Sequence, residues 1–448
     1  MTAIEDALAA RTGDMLAACT RCGKCVEACP VTAPGGVAAP PAEVIGGLVD
    51  ILRDGVPSGG TDTEAARRWA SACTQSGECV QACGHGVNPR FLLTMARLAM
   101  AQAEREPRER RRAGRAAFRE VHRDVTVQSR MQLDDDALAR LGQRLAAAAA
   151  APDDARPPAF VFYTGCNLLK TPHIAELALD VMDALGVDYR VMGGPSHCCG
   201  IGQMRAGDAA TAGHVAATTA EKLGRGGRVL SWCASCHVQF TEVMLPAQER
   251  AAVGRPLEMT PFVLYLAERR DDLAALMRVE VPMRVALHRH PGIAGVVEAA
   301  TVLLAAVPGV ELVDLGQPAV GLMSVSLRSL PEYRKELQLR ELEAARAAGV
   351  DALVAVYHSD HRELCAHERG WPFRILNLLD VVGAGMGLRR DDRYKALKIL
   401  QDADLILAEC RERLARHGIA GEDARAAIRA MLEDQPLPLA RASAPETG

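Results

Sequence analysis

The residues nearest the N-terminus that could do chemistry are four cysteines spaced Cys-x2-Cys-x2-Cys-x3-Cys and followed by Pro30. Three closely spaced thiolates on one loop bind three corners of an iron–sulfur cube, while the fourth Cys points toward a second cluster. Structural zinc is the alternative, but zinc usually takes two Cys-x2-Cys pairs that lie far apart in the sequence. We therefore expect iron–sulfur chemistry at Cys19, Cys22, Cys25 and Cys29.

A second copy of the pattern has the same spacing, but Ser76 stands where the second Cys would be and Gly84 replaces the Pro. Its cysteines are Cys73, Cys79 and Cys83. If the fourth Cys of each copy serves the other cluster, cluster one takes Cys19, Cys22, Cys25 and Cys83, and cluster two takes Cys29, Cys73 and Cys79, with Ser76 at the remaining corner. Three thiolates suit a three-iron cluster, or an atypical four-iron cluster whose fourth iron binds the Ser76 alkoxide, hydroxide or an outside ligand. The alternative is that cluster two has been lost.

Five more cysteines follow short apolar segments that read as parallel strands, and ligand sites in open α/β sheets lie at the carboxyl ends of strands. The adjacent Cys198 and Cys199 suit two neighbouring irons of a larger cluster, and Gly200 allows close backbone approach. His197 and His237 flank the site and are candidates for hydrogen bonding or proton donation. The five cysteines are Cys166, Cys198, Cys199, Cys233 and Cys236.

The elements that must position these residues alternate between strand and helix patterns, which predicts a parallel sheet covered by helices. The predicted strands of the first half are 160–163, 189–192 and 228–231. The pattern recurs at a constant offset of 124 residues, with strands at 285–287, 310–315 and 352–356. We therefore expect a duplicated α/β domain. Ala146–Pro158 reads as a linker, and 391–433 as two C-terminal helices.

The second half keeps none of the five cysteines at this offset. In their places stand His290, Leu322, Met323, Tyr357 and Asp360. Polar residues still follow the same strands. A substrate pocket, a weak metal site and a vestigial pocket are three alternative interpretations of this group. Its members are His288, His290, His358, Asp360 and His361. Cys365 and Cys410 match no motif, and we expect both to be buried free thiols.

Composition excludes several function classes. The chain has 448 residues, a net charge of −4 and few aromatics (3 Trp, 6 Tyr, 7 Phe), which argues against nucleic-acid binding. It has no long apolar run, no signal-peptide pattern and no glycine motif for dinucleotides or ATP. Fourteen cysteines, most of them clustered, indicate metal binding in a reducing compartment. We expect a cytoplasmic protein with no transmembrane segment.

The arrangement Cys-x31-Cys-Cys-Gly-x32-Cys-x2-Cys-His resembles the cysteine-rich CCG domain of heterodisulfide reductase, and the Cys19–Cys83 region resembles the small iron–sulfur subunit of that enzyme. The chain thus looks like a fusion of the two subunits, an order shared by iron–sulfur subunits of glycolate oxidase and anaerobic glycerol-3-phosphate dehydrogenase. The resemblance covers residues 15–90 and 158–385. It implies that the five cysteines hold a noncubane 4Fe-4S cluster that cleaves or forms disulfide bonds, although some relatives bind zinc at such a site. The family usually carries two CCG motifs, and this chain has one.

The expected fold class is α+β and multidomain: a mostly helical two-cluster ferredoxin-type domain followed by a duplicated parallel-sheet CCG domain. The expected boundaries place this ferredoxin-type domain at 1–100 and a charged helical segment with a linker at 101–157. The first CCG domain with the five-cysteine site is expected at 158–280, the second, degenerate one at 281–385, and C-terminal helices and a tail at 386–448.

The expected function is that of an oxidoreductase subunit of a heterodisulfide-reductase-like complex, active only with partner subunits. Its expected cofactors are one 4Fe-4S cluster, one 3Fe-4S or atypical 4Fe-4S cluster and the noncubane cluster. Partners would be flavoprotein or quinone-reactive subunits in a hetero-oligomer, in the cytoplasm or at the membrane through a partner, and the substrate a thiol, disulfide or sulfur carrier. One alternative is the iron–sulfur relay of a glycolate, lactate or glycerol-3-phosphate dehydrogenase that feeds quinone. A second is a non-enzymatic zinc scaffold.

Overall fold

The N-terminal part of the chain is helical, as expected. The computed structural model describes residues 2–53, 60–150, 157–254, 257–290, 292–318 and 326–439. The first helix begins after Thr2, whose backbone N–H donates to the Glu5 carboxylate at 2.8 Å in a capping box. The helices are α1 (Ala3–Ala18), α2 (Lys24–Glu27), α3 (Pro41–Arg53), α4 (Thr63–Ala72), α5 (Glu78–Gln81) and α6 (Pro89–Glu104).

The two cysteine motifs follow the same backbone path. In each, a long helix, α1 or α4, ends at the first Cys of the motif, and a one-turn helix, α2 or α5, begins after a left-handed glycine. The loops share positive φ angles at Arg21 (57°) and Gln75 (60°), and again at Gly23 (81°) and Gly77 (85°). A Cβ at Gly23 would lie 2.7 Å from the Pro41 Cβ, so this loop requires glycine. The sequence repeat is therefore also a structural repeat.

Two helices follow, α7 (Pro107–Gln132) and α8 (Asp135–Ala150). The second corrects the expected linker at Ala146–Pro158, because the alanine run continues the helix to Ala150. Alanine is the strongest helix former, so a run of it extends a helix that has already started. Residues 151–156 of the expected linker lie outside the described residues.

The first α/β half is a four-stranded, all-parallel sheet in the order β2-β1-β3-β4. Its strands are β1 (Phe160–Tyr163), β2 (Tyr189–Met192), β3 (Arg228–Ser231) and β4 (Met259–Pro261). The first three match the predicted strands. The fourth was missed because it is a three-residue edge strand that contains a proline. The helices are α9 (Pro172–Ala184), α10 (Ile201–Arg205), α11 (Ala209–Leu223), α12 (Ala234–Val238), α13 (Leu245–Arg250), α14 (Phe262–Glu268) and α15 (Arg270–Leu276), with a π-helical turn, Gln239–Met244, between α12 and α13.

The second half repeats this topology, with the strand order β6-β5-β7-β8 and all strands parallel. Its strands are β5 (Met283–His288), β6 (Val310–Val313), β7 (Ala352–Ala355) and β8 (Arg374–Asn377), and its helices are α16 (Val296–Ala305), α17 (Pro331–Ala347), α18 (His358–Leu364) and α19 (Leu378–Gly385). The predicted duplication is confirmed. The offset is not constant, however, because β6 begins 121 residues after β2. Leu322 and Met323, the expected counterparts of Cys198 and Cys199, lie outside the described residues.

Three helices rather than the expected two close the described chain: α20 (Arg393–Ile399), α21 (Ala403–Arg416) and α22 (Gly421–Glu433). The extra break falls at Gln401, which has a φ of 53°, and Asp402, whose carboxylate accepts from the backbone N–H of Asp404 at 2.8 Å. A side-chain cap of this kind starts a new helix instead of continuing the old one.

Buried side chains divide the described chain into layers. One face of the first sheet, with Val161 and Tyr163, packs against the N-terminal helices. The other face, with Phe162 and Leu230, shares a core with α9, α14, α16 and α19, which separate the two sheets. The far side of the second sheet packs against α7 and the C-terminal helices. Among the described helices, none is both long and apolar enough to cross a membrane.

Candidate metal centres

The four thiols expected for cluster one lie together. One cavity is lined by Cys19, Cys22, Cys25 and Cys83. Burial, followed by the nearby sulfurs of Cys19 and Cys22, raises the pKa of Cys25 to about 12, and Cys83 adds to this effect. Cys22 is exposed and Cys25 is buried, so the cavity reaches from the surface into the domain. The helices and the cysteine loop thus place four sulfur donors around one small cavity. A cubane cluster requires this donor set.

The three thiols expected for cluster two lie beside the first group. Burial, then the sulfurs of Cys73 and Cys29, raises the pKa of Cys79 well above its usual value, with a smaller effect from Cys25. Ser76 is 9% exposed, and its hydroxyl accepts from the Glu78 backbone N–H at 3.4 Å. This serine occupies the loop position that Cys22 has in the first copy. The site therefore offers three thiols and one hydroxyl.

Arg90 positions the loop of cluster two. Its Nη1 donates to the carbonyl of Gln75 at 2.9 Å and to the carbonyl of Gly292 at 2.6 Å, and its Nε donates to the Glu242 carboxylate at 2.9 Å. These partners belong to the cysteine motif, the second α/β half and the first α/β half. The sequence analysis missed Arg90, because a single Arg on a helix carries no signal of burial in the sequence.

The five thiols of the first α/β half form one continuous group at the carboxyl edge of its sheet. Neighbouring thiols shift one another's pKa through side-chain hydrogen bonding, in a series that runs Cys166, Cys198, Cys199, Cys236, Cys233. The bonds from Cys166 and Cys199 lower the pKa of the Cys198 thiol. The bond to Cys198 raises the pKa of Cys166 well above its usual value. Five neighbouring sulfurs exceed the four ligands that one tetrahedral ion uses.

Gly165, Gly200 and Tyr163 shape this edge, and of these the sequence analysis singled out only Gly200. Gly165 has a φ of 71°, and a Cβ there would lie 2.9 Å from the Cys233 Cβ. A Cβ at Gly200 would lie 2.5 Å from a backbone oxygen of α11. The buried Tyr163 hydroxyl donates to the carbonyl of His197 at 2.7 Å. The glycine just before Cys166 was the one sequence signal that could have revealed part of this packing.

The two flanking histidines make local hydrogen bonds. His197 Nδ1 lies 2.9 Å from the carbonyl of Gly193, and His237 Nδ1 lies 2.9 Å from the Ser231 hydroxyl. Burial lowers the pKa of both rings, to about 4 for His237. Both imidazoles are therefore neutral near pH 7.

The polar residues of the second half form separate pairs. His288 Nδ1 lies 2.7 Å from the Glu341 carboxylate, and His290 Nδ1 lies 3.1 Å from Asp360. His358 accepts from the Trp232 indole at 3.1 Å. A cavity of about 490 Å³ borders His288, Glu341 and Asp360, and much of its lining is apolar, including Leu287, Leu312 and Leu337. His361 is the exception to the expected group, because it turns toward Asp392, 2.7 Å away.

Cys365 and Cys410 are fully buried, as expected.

The chemistry of the donors fits iron–sulfur clusters. Twelve cysteines fall into groups of four, three and five. The Ser76 hydroxyl borders the group of three, and the imidazoles of His197 and His237 border the group of five. Thiolates are the usual protein ligands of such clusters.

Comparison with known proteins agrees with this assignment. Residues 13–84 match the model of a 4Fe-4S dicluster domain, and residues 160–241 match the model of a cysteine-rich domain, CCG. No curated protein and no solved structure gives a significant match. The first match spans both cysteine motifs and implies two iron–sulfur clusters, and the second spans all five cysteines of the first α/β half. The chain therefore combines a 4Fe-4S dicluster domain with a cysteine-rich domain, in the heterodisulfide-reductase-like order, and is an iron–sulfur electron-transfer protein.

Proposed function

We propose that this chain is the iron–sulfur subunit of a heterodisulfide-reductase-like complex and that sulfur chemistry takes place at the five-cysteine site. The observation that carries the proposal is the closeness of five thiols at one sheet edge, where each thiol affects the pKa of the next. In this proposal residues 1–100 hold two clusters, 101–157 form a helical connection, and 158–280 hold the noncubane cluster. Residues 281–385 cover that site, and 386–448 pack behind them.

The order of the donor groups supports a relay. Cys22 is exposed at the outer group, which suits contact with a redox partner, and Cys79 is close enough to Cys25 for the two thiols to influence each other. Arg90 then joins the loop of cluster two to Glu242, in the π-helical turn that follows Cys236. Each donor group is thus joined to the next within the described chain.

The residues around the five thiols hold and orient the loops that carry these thiols. Tyr163 and Gly165 hold the loops that present the thiols, and the neutral His237 lies beside Cys236. When bound, the clusters supply one-electron transfer, and the noncubane cluster is the expected place of disulfide cleavage or formation. Reduction of a disulfide takes two electrons and two protons and yields two thiols, so a reduced flavoprotein or quinol partner must supply the electrons.

The first test is composition. Protein purified without air should contain iron and acid-labile sulfide in similar amounts. Stoichiometric zinc without sulfide would refute electron transfer and favour the zinc scaffold.

The second test separates the complex from a dehydrogenase relay. With reduced viologen as the electron donor, the holoprotein should reduce a low-molecular-weight disulfide, and Cys199→Ala should not. The matched control is Cys365→Ala, which removes a buried thiol outside the motifs and should retain the activity. A holoprotein that reduces no disulfide, yet passes electrons from a hydroxy-acid dehydrogenase to quinone, would favour the relay.

A further inference from the structure

Two buried histidines and one partly buried aspartate from three parts of the chain lie close together. They are His173 in the first turn of α9, His361 in α18, and Asp392 just before α20. One ligand atom from each can be chosen so that all lie within 4.8 Å of one another. His361 Nε2 lies 2.7 Å from Asp392 Oδ2, and His173 Nδ1 lies 3.5 Å from Asp392 Oδ1.

Hydrogen bonding leaves this group incomplete. His173 is 2% exposed, and neither of its ring nitrogens has a hydrogen-bond partner among the described residues. The same holds for Nδ1 of the fully buried His361. A buried polar group without a partner costs about 1–3 kcal/mol, so such an atom needs an explanation.

The spacing and the donor types suit a transition-metal ion. Zinc bonds of about 2.0 Å in a tetrahedron place neighbouring ligand atoms about 3.3 Å apart. The 3.5 Å between His173 and Asp392 is close to this value, whereas the 2.7 Å between His361 and Asp392 is a hydrogen bond that the ion would replace. Two imidazoles and one carboxylate suit Zn²⁺, whereas Mg²⁺ and Ca²⁺ prefer oxygen ligands alone. The Lys395 ammonium lies 4.0 Å from Asp392 Oδ2, beyond hydrogen-bond distance, and pairs with Glu368 at 2.7 Å instead.

We propose that His173, His361 and Asp392 bind one Zn²⁺ ion, with water as the fourth ligand. The site is separate from the cysteine centres and does not depend on the proposed function. Its ligands come from the first α/β half, the second α/β half and the C-terminal segment, so the ion cross-links all three. His173 lies in the first turn of α9, the helix that follows the loop of Cys166, and the cross-link thereby also anchors the end of the segment that presents this cysteine.

The test is zinc content measured beside iron and sulfide. Holoprotein from zinc-supplied cells, purified without air, should carry about one zinc ion per chain in addition to its iron. His173→Gln and Asp392→Asn should each lose this zinc and keep their iron and sulfide. The matched control is His367→Gln, because His367 is 2% exposed and also has an unpartnered ring nitrogen, but lies outside the group. It should keep the zinc.

Two results would overturn the proposal. One is wild-type holoprotein that contains no zinc and takes up none from one added equivalent of Zn²⁺. The other is zinc that persists in His173→Gln but disappears in Cys199→Ala, which would place the ion on the thiols. If the substituted proteins do not fold, anomalous diffraction of wild-type crystals at the zinc edge provides the test. A peak between the three side chains supports the site, and the absence of such a peak refutes it. Protein with this zinc but without iron and sulfide would refute the proposed function and leave the zinc site standing.

Discussion

Arg90 of α6 and Glu242 of the π-helical turn form an ion pair across the boundary between the N-terminal helices and the first α/β half. Only 8% of the Arg90 side chain and 20% of the Glu242 side chain are exposed. Asn88 also donates to the Glu242 carboxylate at 3.0 Å, and Arg90 reaches the carbonyl of Gln75. The pair therefore links the loop of cluster two to the element that follows Cys236.

Replacing Arg90 by Met should destabilise the protein, because it leaves Glu242 and two carbonyls without their cation. Breaking a buried pair costs about 3–5 kcal/mol, and partial exposure of Glu242 places this case near the lower end. Thermal unfolding of the holoprotein measures the effect. The control is Arg68→Met, which removes an exposed pair with Glu64 and should cost about 0.5 kcal/mol or less. Equal losses in the two variants would contradict the assigned role.

Replacing Ser76 by Cys should convert cluster two into an ordinary four-iron cluster, because a fourth thiolate then occupies the position that Cys22 has in the first motif. Electron paramagnetic resonance of oxidised wild-type protein should show a three-iron or unusual four-iron signal that the variant loses. Thr74→Cys is the control, since it adds a buried thiol to the same loop away from the motif position. If Ser76→Cys leaves the spectrum unchanged, the crossed assignment of ligands is wrong.

The two α/β halves should differ in their response to substitution. Cys199→Ala should abolish turnover and the noncubane signal while the signals of the N-terminal clusters persist. His290→Ala or Asp360→Asn should slow turnover by far less, since these two side chains pair with each other in the second half and supply no thiolate. Activity and iron content measured together distinguish the cases. Equal iron loss from His290→Ala and Cys199→Ala would show that the second half holds a cluster.

His288 should make stability fall with rising pH. Burial lowers the pKa of this ring, but the Glu341 carboxylate outweighs burial and raises the pKa to about 9, from 6.5 in the unfolded chain. Because the folded pKa is the higher one, the stabilisation is complete below pH 6.5 and is lost as the pH rises through 9. Between about pH 7.5 and 10 the loss should reach about 2 kcal/mol.

His288→Gln should flatten this pH profile, as measured by unfolding across the same range. The control is His367→Gln. Burial lowers the pKa of His367 to about 4, so this ring is neutral throughout the range and its removal should leave the slope unchanged. A wild-type slope that persists in His288→Gln would assign the effect to another group.

The spacing of the cysteines in the sequence was enough to predict which thiols belong to each group. The loops of the two motifs are local structures. In both, the residues two and four positions after the first cysteine, Cys19 or Cys73, have left-handed backbone conformations, so a short stretch of sequence specifies each turn. Strands β1 to β3 were equally predictable, because a buried parallel strand is a short apolar run with a clear end. The cysteines that follow such strands then had to meet at one edge.

Tertiary structure decided the contacts between distant segments. Arg90 and Glu242 are 152 residues apart, and His173 lies in the first α/β half whereas Asp392 lies in the C-terminal segment, so no local pattern pairs them. His361 shows the limit most clearly. The sequence placed it with Asp360 and His290, because all follow strand ends, yet successive residues of a helix point in different directions. The turn of α18 directs Asp360 to His290 and His361 to Asp392.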